Sequence, residues 1–108
     1  MRMSTDEIIP RAIHLHEFEP MVGQVILADC QPRAAELVLV EASPIKQRTV
    51  TERLPFILIF RSKPEVQLVE AAYKLRCGEF GPELVHIIPL GPHVGDDVPG
   101  NYYQAVFN

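Results

Sequence analysis

The chain has 108 residues, 47% hydrophobic and 22% charged, with a formal net charge of −4 and an isoelectric point near 5.5. That is the length of one domain, able to bury roughly two-thirds of its unfolded surface, so neither disulfides nor a structural metal is needed to hold it together. The acidic balance excludes broad binding to a nucleic-acid backbone, which needs a basic face, and the 10 prolines make long helices scarce.

Residues 1–12 read as an N-terminal arm. Ser4 and Glu7 have capping-box spacing, but Pro10 limits any helix begun there to about one turn. The opening M-R-M-S-T-D-E-I-I-P lacks the apolar segment of a signal peptide, and no apolar run approaches the roughly 20 residues that span a bilayer as a helix. The expectation is a cytoplasmic protein without a membrane partner.

Residues 13–108 read as a single β domain. Phe18, Met21 and Val22 have helical spacing and Gly23 stands where a C-terminal cap belongs, which predicts a short helix near residues 15–22. Strand signals follow over Gln24–Cys30, Glu36–Ala42, Pro55–Arg61, Val66–Cys77, Leu84–Leu90 and Tyr102–Phe107. Each run is rich in Val, Ile, Leu, Phe or Tyr and is bounded by Pro, Gly, Asp or Ser. Turn chemistry fills the gaps at Gln31–Arg33, Ser43-Pro44, Gly78–Pro82 and Gly91–Gly100. Within Val66–Cys77 the strand reading is strongest over Tyr73–Cys77, and the earlier residues are compatible with helix or strand. The fold class is therefore mainly β: a small antiparallel β-barrel or β-sandwich of roughly five to seven strands with one short N-terminal helix.

Several strands are apolar on both faces: Leu37–Val40, Phe56–Phe60, and Leu84–Leu90 apart from His86. A half-exposed antiparallel strand alternates apolar with polar, so these strands need cover on both sides. Either the helix and long loops cover the outer wall, or a second chain does. Self-association into a homo-oligomer, or a permanent protein partner, is the expectation. The interface candidates are Phe56 and Phe60, which share one face of their strand, and the aromatic residues Tyr102, Tyr103 and Phe107.

Candidate chemistry is sparse. His14 and His16 face the same way if their segment is extended, and with Glu17, Glu19, His86 or His93 they have the donor types of a metal site. A helix would split the pair, and two polar residues at a helix mouth is the simpler reading. Cys77 and His86 have the residue types of a nucleophile and base, without a third orienting group. Cys30 and Cys77 read as small buried or half-buried hydrophobes. Asp96-Asp97 lies in a Gly-containing loop whose spacing does not match the twelve-residue calcium loop. Lys46, Arg48 and Arg53, interrupted by Glu52, read as a solvated loop. The sequence has no Gly-rich phosphate loop, G-x-S-x-G elbow or H-E-x-x-H, so no catalytic set and no cofactor is expected.

The phrases F-E-P-M-V-G-Q, E-L-V-L-V-E-A, P-F-I-L-I-F-R, A-Y-K-L, and the closing I-I-P-L-G-P and Y-Y-Q-A-V-F-N follow one another from about Ile13 to Asn108. In that order they resemble a family of small bacterial β proteins to which no activity is assigned. The resemblance implies a loose association with phage-tail-like proteins that carry a tail-collar domain, and it supplies no site residues. The function expected is a non-catalytic structural or protein-interaction module. The alternatives are a small-molecule or glycan binding module with a pocket at the barrel mouth, favoured if Tyr102 or Tyr103 lies in a concavity beside His93, and a metal-dependent enzyme using His14 and His16.

Overall fold

In a computed structural model, residues 11–30, 33–45, 55–91 and 98–107 are described, and the account below concerns those residues. A four-residue helix, α1 (Leu15–Phe18), runs into a 3₁₀ turn over Glu19–Met21, and six strands follow: β1 (Val25–Ala28), β2 (Ala35–Pro44), β3 (Phe56–Ser62), β4 (Ala71–Cys77), β5 (Phe80–Gly91) and β6 (Asn101–Phe107). They close into a barrel in the order β1-β2-β3-β6-β5-β4, with every neighbouring pair antiparallel. Of the two expected architectures, the barrel is the one formed.

Alternation along the strands decides which side chains fill the interior. In β3, Phe56, Leu58 and Phe60 point inward and stand opposite Phe107, Ala105 and Tyr103 of β6. Ile26 and Ala28 of β1, Leu37 and Leu39 of β2, Leu75 of β4 and Val85 and Ile87 of β5 complete the filling. Register shifts at Leu39/Glu41, Leu75/Cys77 and Pro89/Gly91 bend the long strands, as closure of so small a barrel requires.

The two ends of the barrel are closed by different chemistry. At one end α1 inserts Phe18, fully buried, against Phe56, Phe80 and Phe107 at ring-centroid separations of 5.9, 5.1 and 5.8 Å, and Phe56 stacks on Phe107 at 4.5 Å. The helix therefore plugs an end of the barrel and does not cover its wall. Its start is held by Glu17, whose carboxylate accepts the His14 backbone N–H at 2.9 Å and pairs with both terminal nitrogens of Arg11 at 2.8 and 3.0 Å. Arg11 Nε also donates to Glu83 of β5 at 2.8 Å, so this residue, expected in the arm, is tied to the domain.

Two turn assignments differ from the sequence reading. Ser43 and Pro44 continue β2, where they pair with Ile57 and Phe56. The β4–β5 turn is confined to Gly78-Glu79, because Phe80, Gly81 and Pro82 already belong to β5. Gly81 makes that possible: its φ is +91°, and a Cβ there would collide with the Leu75 carbonyl and crowd Arg76 Cα. Residues 66–70 take neither helix nor strand, and β4 begins at Ala71.

Candidate functional site

The end opposite the aromatic plug is closed by polar groups. Tyr103 points inward from β6, and its hydroxyl lies 3.0 Å from Ser62 Oγ and accepts the Leu68 backbone N–H at 3.1 Å. Ser62 Oγ in turn donates to the Val66 carbonyl at 2.9 Å. Asn101 Nδ2 donates to Val66 O at 2.7 Å and to Pro64 O at 3.2 Å. These bonds give segment 63–70 its backbone partners in place of a sheet and lay it across the barrel end.

Outside this cluster lies a concavity of about 480 Å³, bordered by Gln67–Glu70, Pro89, Asn101 and the two tyrosines. Tyr102 and Tyr103 form its back wall rather than its surface: they are 0% and 1% exposed, and Tyr102 Oη donates to Val98 O at 2.9 Å. The rim carries Glu70, whose carboxylate is 3.0 Å from Nε2 of the outward-facing His86. His93 lies outside the described residues.

A second concavity, about 570 Å³, follows the seam between β1 and β4 and is lined by Asp29, Cys30, Ala34, Ala72, Tyr73, Lys74 and Leu84. The seam is short: Leu27 pairs with Arg76 and Ala28 with Leu75, and one further bond runs from Asp29 N–H to Lys74 O at 3.0 Å. Arg76 grips the Asp29 carboxylate at 2.8 and 3.2 Å and holds it below its ordinary range. Burial pushes the Tyr73 hydroxyl upward, and it donates to Val69 O at 2.6 Å.

The third feature is the outer wall of β1 and β2. Val25 is 49% exposed and Leu27 39%; Val25 stands opposite Val38, and both line a shallow groove of about 270 Å³ with Val98 and Pro99. Glu36, Arg61 and Lys63 border it. An apolar centre with a charged rim is the usual anatomy of a protein-binding patch.

The residues singled out from sequence are distributed differently from the expectation. Phe56, Phe60, Tyr102 and Tyr103 are corrected as interface candidates: the barrel uses Phe56, Phe60 and Tyr103 as filling, Tyr102 is sealed against Val98, and none has surface to offer a partner. Phe107 is half-buried in the aromatic plug. The outward residues of β3, Ile57 and Ile59, stand opposite Val106 and Gln104 of β6; Val106 is 43% exposed.

His14 caps α1 and stacks on His16 at 5.6 Å between ring centroids, so the helix does not separate the rings. Yet among the described residues no group of three or more His, Cys, Asp and Glu side chains is arranged to hold a metal ion. Cys77 Sγ is 3.6 Å from Gln24 Oε1, while His86 turns outward to Glu70, so these two do not form a nucleophile–base pair. Both cysteines are free thiols. Asp96-Asp97 and the loop bearing Lys46, Arg48, Glu52 and Arg53 lie outside the described residues. Among the described residues no helix is long and apolar enough to cross a membrane.

Sequence reasoning missed the Ser62–Tyr103–Leu68 cluster and the β1–β4 seam. The available signals were a serine two residues after the apolar run Phe56–Phe60, and A-D-C ending the first strand at four residues.

These features define a small closed antiparallel barrel, plugged at one end by a helix and capped at the other by a polar cluster. The chain belongs to the family described as a domain of unknown function (DUF6916), whose model matches residues 13–107. Comparison with curated proteins and with solved structures found no match.

Proposed function

We propose that this protein is a non-catalytic interaction module that buries the outer wall of its barrel against another protein chain, in the first instance a second copy of itself. The observation that carries the reading is the Val25–Leu27–Val38–Val98 strip, apolar at its centre and rimmed by Glu36, Arg61 and Lys63. In a protein this small, such side chains gain most by leaving water together, at roughly 25 cal/mol per Å² of apolar surface. The resemblance to proteins that accompany tail-collar proteins suggests a structural role in a phage-tail-like assembly, and a cytoplasmic setting belongs to the same proposal.

Light scattering on a sizing column tests it. A discrete oligomer that falls to monomer mass in the Val25→Glu/Leu27→Glu variant is the expected result. Both side chains face water in the single chain, so the variant keeps its fold. A monomer over a wide concentration range would sink self-association.

A second reading, small-molecule binding, is favoured by the concavity bordered by Gln67–Glu70 and Asn101. Its glycan form is weakened by the burial of both tyrosine rings, which leaves neither ring a face for a sugar to stack on. Resonance shifts of Leu68–Glu70 amides on adding a fragment library, without shifts on β1 and β2, would support this reading over the first.

A further inference from the structure

We infer that two copies of this chain meet across a two-fold axis on the outer wall between β2 and β3, where Glu36 of each copy pairs with Lys63 of the other. The inference rests on the interaction-module reading and deepens it, naming the contact that selects the partner. Val38 of β2 pairs with Arg61 of β3, and that register carried two residues further sets Lys63, just past the strand end, beside Glu36. Both residues border two neighbouring concavities. One is the apolar groove of about 270 Å³ that holds Val25 and Val38. The other, about 410 Å³, is lined in part by Ala34, Ala35 and Val66. Glu36 and Lys63 therefore form a ridge between two partly apolar hollows. Both are exposed, and among the described residues neither makes an ion pair or a side-chain hydrogen bond, with each other or with any other group.

The charge pattern specifies the occupant. An anion and a cation side by side are the smallest pattern that complements itself. Half a turn about an axis between them, normal to the wall, lays each charge over its opposite. The same rotation exchanges the two hollows, so the groove of Val25 and Val38 in one copy faces the hollow of Ala34, Ala35 and Val66 in the other. A ridge of one sign would repel its own copy and favour a foreign chain of the opposite sign; a ridge that carries both signs suits a copy of itself.

The test follows self-association of the full chain by sedimentation equilibrium, with the two charges reversed singly and together. Glu36→Lys makes the ridge wholly positive and Lys63→Glu makes it wholly negative; both side chains face water, so the fold is kept. The parent chain should be a dimer. Each single reversal should dimerise about tenfold more weakly or worse, and Glu36→Lys/Lys63→Glu should return to within about threefold of the parent. An equimolar mixture of the two single variants, one carrying an isotope label, should form mixed dimers in preference to either pure dimer, as read by native mass spectrometry. If a single reversal does not fold, Glu36→Gln and Lys63→Gln, which only remove a charge, should each weaken the dimer about threefold. Single reversals that dimerise as the parent does, or a mixture that sorts at random, would overturn the inference. So would a ring of three copies, which has no two-fold axis. A dimer lost in Val25→Glu/Leu27→Glu but indifferent to the charge reversals refutes this contact and leaves the outer-wall reading standing. A parent chain that stays monomeric refutes self-association and this contact with it.

Discussion

The hydroxyls of Ser62 and Tyr103 meet at 3.0 Å between adjacent strands, with Tyr103 almost wholly buried and Ser62 nearly so. Leu68 N–H donates to Tyr103 Oη, the two hydroxyls share one hydrogen bond in which either can donate, and Val66 O accepts from the hydroxyl whose proton is left over, Ser62 Oγ at 2.9 Å or Tyr103 Oη at 3.4 Å. Tyr103→Phe removes the middle of the cluster and strands the Leu68 N–H. A loss of about 1–3 kcal/mol in urea unfolding is expected, with Ser62→Ala showing a coupled, non-additive loss in a double-mutant cycle.

The aromatic plug sets a larger effect. Phe18 is fully buried among Phe56, Phe80 and Phe107 although it comes from a helix of four residues. So short a helix has no stability of its own, and the ring is what fixes it. Phe18→Ala should cost about 3–5 kcal/mol by chemical denaturation, and Phe18→Leu clearly less.

Acid stability should carry the mark of Glu17. Its hydrogen bonds to Arg11, aided by the His14 N–H, hold its pKa at about 2, against an ordinary value of 4.5. The folded carboxyl therefore binds fewer protons than the unfolded one between those values. The stability it contributes is present above about pH 4.5 and is lost as pH falls toward about 2. Arg11 is 40% exposed, so solvent screening limits the amount. Glu17→Gln should lose about 1 kcal/mol at neutral pH and converge with the parent protein in acid, as read by thermal unfolding across pH.

At Gly81 the backbone adopts a conformation that L side chains rarely take, and the space a Cβ would need is occupied by the backbone of Leu75 and Arg76. Gly81→Ala should destabilise by about 2 kcal/mol or more, with the broadest resonance shifts along β4 and β5. Gly78→Ala is the control: its φ of +59° is similarly strained, yet nothing lies within 4 Å, so the cost should be about 1 kcal/mol.

Much of the fold was legible because the strands are short, β-branched and clearly bounded. Each of the six expected runs contains an observed strand or overlaps one closely, and the 15–22 helix appears as α1 with its 3₁₀ turn. Failures occurred where tertiary pairing overrides local chemistry. Ser43-Pro44 reads as a turn, yet β3 offers Ile57 and Phe56 as partners and the strand continues. Gly81-Pro82 reads as a turn, yet it forms a bulge in β5.

The site was less legible for a geometric reason. Alternation says that Phe56 and Ile57 face opposite sides, but not which side is the interior; that follows from closure of the barrel, in which β3 is flanked by β2 and by β6, a strand far from it in sequence. The seam was invisible because it depends on β1 stopping while β4 continues, a relation between segments more than forty residues apart.

The position of β6 between β3 and β5 also bears on how the protein is made. β3 and β5 do not touch as a ladder; β6 joins them, pairing with Phe56–Ser62 on one side and with Ile88, Pro89 and Gly91 on the other. A ribosome delivering this chain releases five strands that can associate only as two separate sheet fragments or through the short β1–β4 seam, with Phe56, Leu58 and Phe60 facing water. Their missing wall arrives last. The nascent barrel therefore stays open until Asn101–Phe107 clears the exit tunnel, and during that interval its interior is the surface most in need of a chaperone.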